Sequence, residues 1–370
     1  MTTVAHGGAE YANVDLLDGL AARGWDTTLI TDLPDLVTGT RVNVREADLG
    51  PKLSKRSLGQ VATGFVPWTV RLRRALAEEA ARAPIDVTLL HFKKEQLMTP
   101  FLPRSITGRV LWAEWGPLPL PMRRPGARHL YATAARMTDH ILAVSRETAD
   151  SLIEVGVPEG RVSVLPPIVS SGIAFDPEAR ARVRARWGVT DDTFVVGCVS
   201  RLSGGKRVDV IIDALDHLDG DVRLVIAGEG DNAAELRARA AHLGDRVLFL
   251  PGVRGQVSQI LSAFDAQVFA PQEQEGLPRS LMLGMLMGLP VLATGPTGAA
   301  GLLDPSAVAS PAHDPRAVAA LLARHRADPA LRRREGDALR TIAQRRFDPA
   351  RTTEQAERVL LGQNGARPRG

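Results

Sequence analysis

FVVGCVSRLSGGKRVDVIIDAL, residues 194–215, reads as a strand, a Gly-rich turn and a helix in direct succession. An apolar run of this kind is what a strand buried on both faces requires. The glycines interrupt it, and Val208, Ile211, Ile212 and Leu215 then recur at helical spacing. Arg201 and Lys206 fall on the turn beside the amides that open the helix, a combination suited to a diphosphate. The plainer reading of the same two cations is that they are solvated loop residues.

Downstream the alternation continues. Apolar runs at 223–227, 246–250, 266–270 and 290–294 predict strands, and periodic stretches at 208–218, 233–242, 257–264 and 279–287 predict helices between them. Parallel strands joined by right-handed helical crossovers give a sheet covered on both faces. Upstream the pattern is looser, with strands predicted at 26–31, 86–91, 109–113 and 140–145. VLPPIVSSG, residues 164–172, closes the last of the N-terminal strands with two prolines and reads as a connector. The expected division is an N-terminal domain over 1–165, a second over 166–346, and at 347–370 a last helix returning to the first domain, followed by a tail. A chain of 370 residues has room for two such cores.

Composition narrows the function classes. The 46 basic residues barely exceed the 42 acidic ones, an excess that suits a small anionic ligand as well as nucleic acid or lipid headgroups. Aromatic residues make up 4% and are scattered, which argues against a nucleic-acid surface. The one cysteine, Cys198, lies inside the apolar run and reads as a buried thiol. No apolar stretch approaches the roughly 20 residues of a membrane span, and MTTVAHGGAE lacks the regions of a signal peptide, so a cytoplasmic location is expected. His129, His140, His217, His242, His313 and His325 show no ligand spacing, and no metal is expected. Asp219, Gly220 and Asp221 spell a metal-binding pattern but precede a strand, where they read as a turn. The basic run 52–56, with Phe65, Trp68, Arg71, Arg73 and Arg74, has two readings: a surface for an acceptor or a peripheral membrane contact, or a solvated loop followed by an amphipathic helix.

Two further segments carry chemistry. In VRLVIAGEGDNAAEL a strand meets Gly228, Glu229 and Gly230 before a helix; alone this is a weak dinucleotide fingerprint. The next strand ends in Leu250, Pro251 and Gly252 instead of the acidic residue that would hold a ribose, which argues against a dehydrogenase. In APQEQEGLPRSLMLGMLMGLPVLAT a strand ends in a loop with Glu273 and Glu275, and a helix follows near Pro278. Glu275 beside Gly276 can accept from sugar hydroxyls, or can simply complement a helix N-terminus.

In order and spacing, over about residues 195–318, these three segments resemble the family 4 glycosyltransferases, which have the GT-B architecture of two Rossmann-like domains facing across a cleft. The resemblance implies that Arg201 and Lys206 contact the donor diphosphate, that Glu275 faces the donor sugar, and that backbone near Val253 lies by the base. Ser200, Gly228, Glu229, Gly276, Leu277 and Pro278 would line the same donor site. His6, Gly7, Gly8, Ala9 and Glu10 resemble the family's Gly-Gly loop, which would bring the Gly7 and Gly8 amides to the donor phosphates. Glu114 and Trp115 would stand on the acceptor side; His91, at a strand end, has two readings, a residue facing the acceptor or a surface or capping histidine. The implied reaction is retaining transfer of a sugar to a hydroxyl of a small-molecule, natural-product or glycolipid acceptor. No metal or cofactor is implied beyond the nucleotide-sugar co-substrate.

The chain departs from the family pattern in four places. Leu283 stands where a second Glu usually holds the ribose. Glu114, Trp115 and Gly116 replace the common Glu-His-Gly. Pro166, Pro167 and Ile168 replace Pro-Asn-Gly, and only five residues precede the Gly-Gly loop. These departures admit an alternative, a sugar-nucleotide-binding partner with weakened catalysis, which the retained set Arg201, Lys206 and Glu275 argues against.

Overall fold

The computed structural model describes residues 8–51, 58–169, 173–252, 256–272, 278–294, 303, 307–309 and 312–363, with only the backbone for 58–63. The chain divides into two compact units, Met1–Ser170 with Pro349–Gly370, and Ser171–Asp348.

In the first unit β1 (Thr28–Thr31) pairs in parallel with β2 (Asn43–Glu46). A parallel four-stranded sheet runs β3 (Val87–Leu90), β4 (Arg109–Glu114), β5 (His140–Ala143) and β6 (Val162–Val164) in spatial order. Alternate side chains of a strand face opposite sides. Accordingly Val110 and Trp112 enter a core with Trp68, Leu72, Tyr131 and Leu152, while Leu111 enters another with Leu16, Leu20, Ala356 and Leu360. That second core joins the helix Gly8–Ala21 to the helix Pro349–Leu360. The contact is pinned by Glu357, whose carboxylate accepts from Arg23 and, at 2.8 Å, from Trp25 Nε1. Arg109 donates to the Leu360 carbonyl at the helix end.

The second unit holds a five-stranded parallel sheet in the order β11-β10-β7-β8-β9, from β7 (Phe194–Val199), β8 (Val222–Ala227), β9 (Val247–Leu250), β10 (Ala266–Phe269) and β11 (Val291–Ala293). Every residue of β7 is buried, as a central strand requires. The helices Val208–Ala214, Ala233–Ala240 and Pro315–Ala327 share one core with β7 and β8. Asp314 and Asp328 cap successive helices by accepting from Arg316 and Leu331, each cap followed by a proline at the first helical position.

The helix expected after the basic run spans Leu58–Ala80, with Pro67 inside it. Trp68, Leu72 and Leu76 are buried at four-residue spacing, while Pro67 is exposed. Glu114 ends β4 and Pro125 opens the helix Pro125–Ala135. β2 was not predicted at all; its NVRE sequence is largely exposed and has no apolar alternation to betray it.

Candidate functional site

In the second unit the chain passes β7, then places β8 and β9 on one side and β10 and β11 on the other. Strand order therefore reverses between β7 and β10, and ligands of open α/β sheets bind at the strand carboxyl ends at such a point. The loops leaving these two strands meet there: the Gln272 amide donates to the Gly205 carbonyl at 2.9 Å.

The loop after β7 is fixed on its other side by the loop after β8. Ser200 N donates to Ala227 O at 3.1 Å, Leu202 N to Glu229 O at 2.8 Å, and Asn232 N to Leu202 O at 3.0 Å, extending the ladder beyond the strands. A Cβ at Gly228 would lie 1.9 Å from the Ser200 carbonyl oxygen, and one at Gly230 2.2 Å from that of Leu202. These glycines exist so that two backbones can touch, which explains a fingerprint-like spacing without a dinucleotide. Glu229 is exposed on this loop and contributes its backbone carbonyl.

The loop so held ends in the tight turn Gly204–Lys206 and in Arg207, whose left-handed φ of 44° precedes the helix Val208–Ala214. Arg207 is occupied by Asp209 through contacts of 3.0 to 3.1 Å. Arg201 is exposed and Lys206 half-buried. Burial, and then the Arg201 guanidinium, bring the Lys206 ammonium down to about 8. A guanidinium that lowers the pKa of a neighbouring ammonium at a strand end favours an anion placed between the two. Burial pushes the Cys198 thiol up to about 11, leaving it protonated beneath the turn.

Pro278 is described just outside the helix Arg279–Leu286, at its N-cap with ψ of 132°, one position earlier than the first helical turn. Leu283 on that helix is 3% exposed and contributes packing to the interior. Glu275, Gly276, Leu277, Val253 and Gly7 lie outside the described residues.

In the first unit Gly8 is the first residue of the helix Gly8–Ala21. His91 and Trp115 follow β3 and β4, with ring centroids 6.4 Å apart. Trp115 Nε1 donates to Asn13 Oδ1 at 3.0 Å, so the N-terminal helix fixes the indole. Glu114 is buried, accepts from the Tyr131 hydroxyl at 2.5 Å and pairs with Lys93. Burial and Glu114 hold the Tyr131 phenol well above 10, whereas burial lowers the Lys93 ammonium against the pull of Glu114. Glu114 is thus committed to an internal network that fixes the end of β4. Asn13, Lys93 and Tyr131 were missed by the sequence reading, because nothing in their spacing marks residues that meet through the sheet.

The Asp219, Gly220, Asp221 segment is structural: Thr193 donates to Asp221, and Arg326 donates to the Asp219 carbonyl. Among the described residues, no group of three His, Cys, Asp or Glu side chains converges as metal ligands. No helix among them is long and apolar enough to cross a membrane.

Comparison with known proteins bears on this geometry. The model described as Glycosyltransferase Family 4 matches residues 6–171, and that described as Glycosyl transferases group 1 matches residues 193–328. A GDP-mannose-dependent alpha-mannosyltransferase of Mycobacterium tuberculosis is 31% identical over 317 residues, covering 80% of this chain and 78% of that protein. The chain belongs to the family 4 glycosyltransferases. Another relative, the D-inositol 3-phosphate glycosyltransferase of Xylanimonas cellulosilytica, is 32% identical over 225 residues, 57% of this chain. The chain spans about half of that relative's length, 54%. The Anabaena protein HepE, solved in complex with UDP and glucose, superposes with a TM-score of 0.80 at 20% identity over 98% of both chains. The fold is GT-B, as the resemblance implied.

Proposed function

We propose that this chain moves a sugar from a nucleoside diphosphate sugar to a hydroxyl of a small polyol or glycolipid acceptor, with retention at the transferred carbon and without a metal ion. The observation that carries the reading is Lys206: half-buried on a Gly-rich turn at the switch point, and lowered to about 8 by burial and then by the charge of Arg201. An anion with at least two charges suits that pair, and a leaving diphosphate gains charge as the glycosidic bond breaks. Preorganised cations stabilise the transition state more than the ground state, which is what accelerates the step.

The acceptor hydroxyl would attack from the face that the diphosphate leaves and pass its proton toward the phosphate oxygen, so no protein nucleophile takes part. Glu275 would face the donor sugar, with Gly276 and Leu277 beside it and backbone near Val253 at the base. The relatives' names support a GDP-linked or related sugar donor and an inositol phosphate or lipid-linked inositol acceptor. A cytoplasmic site of action fits such a donor.

The test is turnover with GDP- and UDP-sugars and myo-inositol phosphates in metal-free buffer. Lys206→Ala should lower turnover by roughly 100-fold or more at an unchanged melting temperature. Turnover equal to that of the native protein would overturn the assignment.

A further inference from the structure

Among the described residues only Arg207 and His313 combine a side chain with positive φ, at 44° and 59°. Arg207 follows Lys206 directly. His313 lies more than a hundred positions away, yet it bonds to the segment after β10 that touches the same turn. Its amide donates to Thr294 Oγ1 at 2.7 Å at the end of β11, and its Nε2 lies 2.8 Å from the Pro271 carbonyl at the end of β10. A carbonyl only accepts, so Nε2 carries the proton. The next residue, Gln272, is the one whose amide binds Gly205, immediately before Lys206.

We infer that His313 is a positioning residue for the donor phosphates: its imidazole holds the loop leaving β10 against the turn that presents Lys206. The inference rests on the donor-site reading above. Backbone needs alone do not account for a histidine here. A glycine would adopt the left-handed conformation without strain and would still leave Asp314 to cap the helix Pro315–Ala327. What glycine lacks is the ring, and the ring's one described hydrogen bond goes to Pro271. Strained side chains at a ligand turn are retained where the surroundings fix them in place.

Glycine at this position therefore separates the two roles. His313→Gly removes the bond to Pro271 and relieves the backbone, so the melting temperature should stay level or rise. Calorimetric titration with UDP and with GDP, each in metal-free buffer, should show affinity for the bound nucleotide falling about tenfold. His313→Asn, which also tolerates the left-handed region but is too short to reach Pro271, should behave alike and serves if the glycine variant folds poorly. Lys206→Ala is measured beside them. If it weakens nucleotide binding while both His313 variants match the native affinity, the inference is overturned and the donor site stands. If Lys206→Ala, or the native protein with either nucleotide, shows no dependence on this turn, the donor-site reading falls and the inference with it.

Discussion

Lys206 and Arg201 share one strand end, and the guanidinium of the second helps hold the ammonium of the first at about 8, next to the larger effect of burial. The pair is poised for an anion, and its proton balance makes that measurable.

A bound diphosphate raises the Lys206 pKa, so the complex keeps a proton that the empty site loses above pH 8. Nucleotide affinity should be full below about pH 8 and fall as the pH rises through that value and beyond. Titrations at pH 8.5 in buffers of different ionisation enthalpy should reveal net proton uptake. Arg201→Ala should move the midpoint upward, because a cation that lowers the Lys206 pKa is gone. Affinity independent of pH between 7 and 9.5, with no uptake, would contradict the role given to Lys206.

Gly228 and Gly24 both have positive φ, but only Gly228 has a carbonyl in the way of a side chain; around Gly24 a Cβ meets nothing within 4 Å. Gly228→Ala should cost about 2–4 kcal/mol, the range of a forced backbone clash, while Gly24→Ala should cost about 1 kcal/mol from conformation alone. Denaturant midpoints of the two variants compare them directly. Equal losses would show that the loop after β7 moves aside freely.

His140, 2% exposed, binds the Ser163 hydroxyl through Nε2 at 2.8 Å. Burial, and then Arg109 and Arg161, hold its pKa at about 4, below the usual 6.5. The folded state thus binds fewer protons than the unfolded chain between those values. The stabilisation is intact above pH 6.5 and is lost as the pH falls toward 4, by roughly 3 kcal/mol in all. The stability difference between the native protein and His140→Gln, from urea unfolding at pH 7, 5.5 and 4, should shrink by about that amount. A difference that does not change with pH would show that the ring is protonated without penalty.

How much of this was legible in sequence follows from burial. β7 was predicted at its exact bounds because a strand covered on both faces must be apolar at every position. β2 escaped because an exposed edge strand need not be. Arg201 and Lys206 were legible because the residue types and the turn name their own chemistry. Gly228 was visible in the sequence only as part of a fingerprint-like turn, since the oxygen that excludes a side chain belongs to Ser200, 28 positions earlier. His313 left no trace at all: a left-handed φ and a bond to Pro271 are properties of the folded chain, and its letter alone carries neither.

The helix Pro349–Leu360 belongs to the unit that begins the chain, and Trp25 meets Glu357 across 332 positions. During synthesis the first unit therefore has most of its strands in hand long before it has its last helix. The core around Leu16, Leu20 and Leu111 must wait, partly uncovered, while all of Ser171–Asp348 is made and emerges. A ribosome stalled in that interval would expose an apolar face that a chaperone can recognise, and the helix Pro349–Leu360 is what covers it.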